Sequence, residues 1–209
     1  MAQPKGTPTR AAEMSPVGVL DRLEAVPKLL GNAKDFLIVA GLAGTARDTA
    51  HLCGAEGANY YALAGVMGAA MTMGLGLALA QPQKRVLVMT GDGELLMNVG
   101  SLATVAILNP PNLSIVCVDN GHYGETGYQK SHTSLGVDLE KMAAGAGIAA
   151  TRSVWEDSQI PDAARLIRES NGVSFVLLKV KPTDPPKMRR SLDAAWAKNR
   201  FREALLGTG

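Results

Sequence analysis

Unbroken apolar runs alternate with segments of helical spacing along this chain. "DFLIVAG", "RVLVMTG", "LSIVCVDNG" and "VSFVLLKVKP" are apolar on consecutive positions rather than on every second one. That is the pattern of strands covered on both faces. "ANYYALAG" and "IAATRSVW" predict two further strands. Between them, "TARDTAHLC", Gly68 to Ala80, Glu94 to Leu108, "DLEKMAAGAG" and "QIPDAARLIRES" have the spacing of helices. Ser15 and Pro16 predict a helix start leading into "VGVLDRLEAVPKLLG", with Pro27 kinking it or ending its regular part. "NPPN" stops the helix that begins at Glu94, and "NGHYGETGYQKSHTSLG" reads as a loop. A polar helix, "SLDAAWAKNRFREALLG", follows the Pro-rich break "KPTDPP".

Strands alternating with helices predict an α/β fold: a doubly wound, mainly parallel sheet with helices on both faces. The domain organisation expected is a disordered leader over 1–14, one domain over 15–184 and a helical appendage over 185–209.

Composition narrows the function. A length of 209 residues suits one domain. Lys+Arg 21 against Asp+Glu 19 leaves a net charge of +2, too balanced to point to nucleic acid as the main partner. The most apolar window, Gly65 to Ala80, is short and glycine-rich, so it reads as a buried helix and not as a membrane span. The first residues lack the apolar stretch of a secretory signal. Cys53 and Cys117 sit in apolar surroundings without metal-ligand spacing and read as reduced thiols of a cytoplasmic protein.

The chemistry begins at "GDGEL", where a strand turns into a helix. Ligands of such sheets bind beyond the carboxyl ends of the strands. Gly91 and Gly93 allow a close backbone approach, and a helix start favours an anion. Asp92, between them, would repel that anion unless a divalent cation lay between the two. Magnesium then requires further hard oxygen ligands at about 2.1 Å. The end of the next strand, "DNGHYG", offers the amide oxygen of Asn120 and the carbonyls of the following turn. Each half alone is also an ordinary turn; the two together, one strand–helix–strand unit apart, point to a site.

The pair "GDG…DN", with "MTGDGELLMNVGSLATVA", "PPNLSIVCVDNGHYGETG" and "ALAGVMGAAMTMGLGLALA", resembles the diphosphate-binding domain of thiamin diphosphate-dependent 2-oxoacid decarboxylases. The likeness is to the small β subunit of sulfopyruvate decarboxylases and the C-terminal half of phosphonopyruvate decarboxylases. It runs from about Asp35 to Lys181 and is strongest from Gly65 to Gly127. It implies a metal held by Asp92, Asn120 and the main-chain carbonyl of His122. It also implies that the amides of Gly93 and Glu94 hold the diphosphate, with Gly44 and Thr45 as further candidates. Gly91, Tyr123 and Gly124 are cofactor-binding candidates of the same turns. In "GVMG" the Gly65 carbonyl would meet the aminopyrimidine, and the Met67 side chain would be the apolar wedge between the cofactor's rings. The implied cofactors are thiamin diphosphate and Mg2+, and the implied reaction is non-oxidative decarboxylation of a small anionic 2-oxo acid to an aldehyde.

Two features depart from the relatives. "TGYQKSHTS" puts Tyr128, Lys130 and His132 where relatives often carry a second glycine after "TG", which bears on the substrate. Glu125, beside the place of a catalytic carboxylate in some relatives, is an acid candidate. The glutamate that activates the cofactor belongs, in this class, to a pyrimidine-binding domain with no counterpart in the sequence. The resemblance therefore implies a separate pyrimidine-binding α subunit. A carboligase subunit of the acetolactate synthase kind and a non-catalytic cofactor-binding subunit are the alternatives. "GLGLALA" only faintly suggests a nucleotide module, since no strand directly precedes it.

Overall fold

A computed structural model of the chain describes residues 19–188 and 191–207. In chain order the strands are β1 (Leu37–Ala40), β2 (Tyr60–Ala62), β3 (Val86–Gly91), β4 (Leu113–Asp119), β5 (His122–Tyr123), β6 (Gln129–Lys130), β7 (Ala150–Val154) and β8 (Ser174–Lys179). The helices are α1 (Arg22–Leu30), α2 (Gly44–Cys53), α3 (Ala70–Ala80), α4 (Asp92–Leu96), α5 (Ser101–Leu108), α6 (Leu139–Gly145), α7 (Ile160–Glu169) and α8 (Ala194–Leu206). Six strands form one parallel sheet in the order β2-β1-β3-β4-β8-β7. The expected doubly wound architecture is the one the chain adopts.

The continuous apolar runs follow from this burial. Every residue of β4 and of β8 is buried, because helices cover both faces of the central strands. Alternate residues of β3 serve two cores. Leu87 and Met89 pack with α1, α2 and α7, while Val86 and Val88 pack with α3, α5 and α6. Gly74 brings α3 against β3, since a Cβ there would lie 2.2 Å from Val88 Cγ2. α8 lies along the edge strand β2, where the Arg200 guanidinium donates to the Tyr60 carbonyl at 2.9 Å and to the Ala55 carbonyl at 3.2 Å.

Several expectations need correction. The leader and the Ser15–Pro16 start lie outside the described residues. Among the described residues the first helix begins at Arg22, with Asp21 as its N-cap accepting from the Leu23 amide at 2.8 Å, while Leu20 pairs with Val180 in parallel. Of the two outcomes expected of Pro27, a kink or an end, the end is not met, since α1 continues to Leu30. Burying Ala25, Val26, Leu29 and Leu30 outweighs the backbone bond that proline forfeits. The single helix expected over Glu94 to Leu108 is two, α4 and α5, separated at Met97–Gly100. The break lets the Asn98 amide group donate to the Gly68 carbonyl at 3.0 Å and exposes the Asn98 carbonyl to the Ser101 hydroxyl at 2.5 Å. Within the expected loop, β5 and β6 form a short antiparallel hairpin. No helix among the described residues is long and apolar enough to cross a membrane.

Candidate active site

β3 and β4 end side by side, and their register pairs Gly91 with Val118. Asp92, the first residue of α4, therefore stands next to Asp119 at the carboxyl edge of the sheet. Both carboxylates are buried. The Ser131 hydroxyl donates to Asp92 Oδ2, and Thr133 Oγ1 lies 3.3 Å from the same oxygen. Thr133 Oγ1 also donates to Asp119 Oδ1 at 2.7 Å, and Lys179 Nζ donates to Asp119 Oδ2 at 2.5 Å. Burial, and then the charge of Asp119, push the Asp92 carboxyl from 3.8 up to about 6. Lys179 offsets one of the two carboxylates, so a negative charge in excess remains at Asp92.

Asn120 follows Asp119 and starts a turn in which its Oδ1 accepts the His122 amide at 3.0 Å. His122 and Tyr123 then pair with Lys130 and Gln129. The Tyr123 ring lies over Gly93: a Cβ on Gly93 would come within 2.3 Å of Tyr123 Cε1. That contact ties the hairpin to the "GDG" turn. Gly93→Ala is expected to push the ring away and weaken cofactor binding by about tenfold or more, a cost of ~1–3 kcal/mol for an overpacked contact. Adding Tyr123→Ala should recover part of the loss. Titration of the cofactor against both variants checks this, and an unchanged affinity in Gly93→Ala would show that the ring can move without consequence.

α2 begins at the end of β1, and its first residues face the same cleft. Ala43, before it, holds φ 62°, a conformation that disfavours a side chain and collects at ligand-binding positions. Arg22 lies against Gly44, and Asp48 holds its guanidinium through Nε at 3.2 Å and Nη2 at 2.5 Å. Thr45 is buried, with its hydroxyl donating to the Leu42 carbonyl at 3.2 Å.

The Glu94 side chain reaches back to the loop before α3. Its Oε1 accepts the amides of Gly68 and Ala70 at 3.2 and 3.4 Å, and the Thr90 hydroxyl donates to Oε2. Burial pushes its carboxyl upward. Met67, on that loop, is 37% exposed and borders the cleft.

One cleft thus gathers Gly44, Thr45, Met67, Gly91, Asp92, Gly93, Glu94, Asn120, His122, Tyr123, Gly124 and Glu125, all of them expected from the sequence. Gly65 is not among its lining residues; it is exposed, with φ +98°. Lys130 and His132 are exposed and do not line the cleft, whereas Tyr128 does, donating to Asp184 Oδ1 at 2.6 Å. Arg22, Arg47 and Asp184 line it without having been singled out in the sequence, and Asp119, Ser131, Thr133 and Lys179 support it from beneath. Two of these left a trace. Arg22 shares the helical face of Ala25, Val26 and Leu29, and Lys179 interrupts the apolar run of β8.

No cluster of three or more His, Cys, Asp or Glu side chains among the described residues could hold a metal. The donors at Asp92 and Asn120 are instead a carboxylate and an amide at adjacent strand ends. Hard oxygens beside an uncompensated buried charge suit a hard divalent cation.

The profile of the thiamine pyrophosphate enzyme family, C-terminal TPP binding domain, matches residues 43–178. The chain belongs to this family. As a TPP-binding domain it places the β3 and β4 strand ends, α2 and the β5–β6 hairpin within the matched span. It is 39% identical over 127 residues to sulfopyruvate decarboxylase subunit beta of Methanocaldococcus jannaschii, covering 61% of this chain and 66% of that one. It is 33% identical to the subunit of the same name from Methanothermobacter thermautotrophicus, over 90% of this chain and 97% of that one. Likeness to phosphonopyruvate decarboxylase of Streptomyces viridochromogenes is 34% over 77% of this chain but only 40% of that longer one. A solved structure of a putative thiamin diphosphate-dependent enzyme from Mycobacterium smegmatis superposes with TM-score 0.64 at 21% identity, over 78% of this chain and 32% of that one. That likeness concerns the fold.

Proposed function

We propose that the chain is the diphosphate- and magnesium-binding subunit of a two-subunit, thiamin diphosphate-dependent 2-oxoacid decarboxylase that releases an aldehyde. The cleft carries this reading. It brings Asp92 and Asn120 of two strand ends together with the start of α2 and with Met67, elements far apart in sequence. Asp92, Asn120 and the His122 carbonyl would hold Mg2+. The Gly93 and Glu94 amides, with Gly44 and Thr45, would hold the diphosphate, and Met67 would support the ring end. When bound, thiamin diphosphate supplies the electron sink that a 2-oxo acid needs in order to lose carbon dioxide. The chain's own share is to bind and orient: Lys179 and Asp119 fix the Ser131–Thr133 hydroxyls that hold Asp92, and the Tyr123 ring shields Gly93 from water.

A pyrimidine-binding chain would complete the site. Exposed apolar side chains support this: Val66 stands before α3, Met73 and Leu79 lie on it, Met97 lies between α4 and α5, and Ile107 on α5 is 82% exposed. Exposed apolar patches mark contact sites. Two relatives named as β subunits match over 97% and 98% of their length, while this chain covers 47% of the sulfopyruvate decarboxylase of Methanosarcina acetivorans, whose name carries no subunit designation. The free thiols of Cys53 and Cys117 fit a cytoplasmic protein. A carboligase reading has a weaker basis, with the acetolactate synthase likeness reaching 44% of this chain.

Native mass spectrometry of the protein isolated from its own cells in magnesium buffer tests the assembly. A heteromeric mass carrying thiamin diphosphate supports the reading. A bare homo-oligomer that takes up no supplied cofactor overturns it. Assaying the isolated complex on 2-oxo acids for aldehyde against acyloin separates decarboxylase from carboligase.

A further inference from the structure

The cleft has a charged mouth as well as a buried floor. Asp92, Gly93 and Glu94 are buried at the floor, whereas Gly124, Glu125, Thr126 and Tyr128 on the hairpin are exposed. Its two arginines differ in kind. Arg22 is 4% exposed and committed to Asp48 through two hydrogen bonds. Arg47, in the first turns of α2, is 38% exposed, and its Nη2 stands 3.7 Å from Glu125 Oε1. At that separation the two attract without a hydrogen bond. A partly exposed pair of this kind contributes little, ~0–1 kcal/mol.

We propose that Arg47 is the specificity residue of the site, binding the anionic group at the far end of the substrate from its 2-oxo acid function. The proposal rests on the 2-oxoacid decarboxylase reading above and assigns a residue to the tail of the acids that the relatives' names carry, which ends in a tetrahedral oxyanion, a sulfonate or a phosphonate. The guanidinium fork matches two oxygens of such a group and forms charge-assisted hydrogen bonds with them. The contact with Glu125 that it leaves is loose, so the exchange favours the ligand. A neutral tail offers no such exchange and leaves the Arg47–Glu125 pair in place. Depth assigns Arg47 to the substrate and not to the diphosphate: its 38%-exposed guanidinium stands beside Glu125 of the exposed hairpin, while Thr45, Asp92, Gly93 and Glu94 among the metal and diphosphate candidates are buried.

The test uses the complex isolated with its partner chain, carrying either the native residue or Arg47→Gln, with Arg47→Lys as the conservative variant. The ratio of kcat/KM for 3-sulfopyruvate or phosphonopyruvate to that for pyruvate is expected to fall on the order of 100-fold in Arg47→Gln, mainly through KM, with part of it restored by lysine. Comparing the two tailed acids identifies which oxyanion is preferred. Titration calorimetry with 3-sulfopropanoate and 3-phosphonopropanoate, which have the tail but no 2-oxo group, should show binding to the native complex that Arg47→Gln loses. An unchanged ratio, or unchanged calorimetric affinity, overturns the proposal. So does a loss of thiamin diphosphate affinity in Arg47→Gln as large as its loss of turnover, which would place Arg47 at the cofactor. A native complex that turns over no 2-oxo acid would instead overturn the decarboxylase reading, and the calorimetric comparison still decides whether Arg47 binds the anion.

Discussion

Replacing Asp92 by asparagine is expected to lower turnover of the assembled enzyme by at least about a thousandfold, the scale of losing a metal's charge stabilisation of several kcal/mol. The same change should raise the melting temperature of the chain measured without cofactor. Asparagine keeps the shape and an oxygen for the Ser131 and Thr133 hydroxyls. It removes a negative charge that is only 3% exposed and stands beside Asp119. Both burial and the neighbouring carboxylate disfavour that charge in the folded chain. Removing it should gain ~1–2 kcal/mol, and each kcal/mol moves the midpoint of a domain this size by roughly 2–4 °C.

The opposite signs are what give this variant its force. A plain turn residue would leave turnover intact, and an anchor of the fold would lower the melting temperature. A non-catalytic subunit, too, would leave turnover nearly unchanged. Only a carboxylate kept at a cost to the fold, for the sake of a cation it binds, predicts a more stable and inactive variant. Differential scanning calorimetry with and without cofactor, together with steady-state kinetics on the complex, reads both signs. A variant that melts lower and still turns over would overturn the proposed role of Asp92 as a metal ligand.

The parts of this fold legible in the sequence are those decided locally. β4 and β8 appear as continuous apolar runs because both of their faces are covered. The candidate residues around Asp92 and Asn120 were legible because each lies on one continuous strand-to-turn segment. Tertiary contacts decided the rest. α4 stops at Leu96 because Asn98 docks on Gly68, a residue thirty positions away in sequence. Ser131, Thr133 and Asp184 reach the cleft by the fold-back of their segments, for which no spacing rule exists. Ala43 takes a conformation suited to glycine, and nothing local announces it. Arg22 and Lys179 were visible as charges among apolar neighbours, but their partners Asp48 and Asp119 come from other elements.

Glu94 shows the same division between motif and contact, and it carries the second large expectation. Its place in "GDGE" suggested a main-chain role toward the diphosphate, yet its side chain joins two turns of the site. It caps the start of α3 by accepting the Gly68 and Ala70 amides, and it receives the Thr90 hydroxyl. Glu94→Ala would leave the Gly68 and Ala70 amides without their acceptor in a 5%-exposed location, while the Thr90 hydroxyl keeps the Gly91 carbonyl at 3.4 Å. At ~1–3 kcal/mol for each of the two unsatisfied amides, the expected loss is about 2–6 kcal/mol, a large part of the ~5–15 kcal/mol that holds a typical domain together. Glu94→Gln should cost only about 1–2 kcal/mol, because its carbonyl can still accept the two amides and Thr90 can accept from its NH2 group instead. Urea unfolding of the two variants should therefore show a much lower midpoint for alanine than for glutamine, with similar slopes. Because the capped loop carries Met67, cofactor affinity of the assembled enzyme should fall in the same order. If alanine unfolds within about 0.5 kcal/mol of the native chain, the ordinary range for a surface change, the loop holds its position without Glu94, and the conformation of Met67 does not depend on this cap.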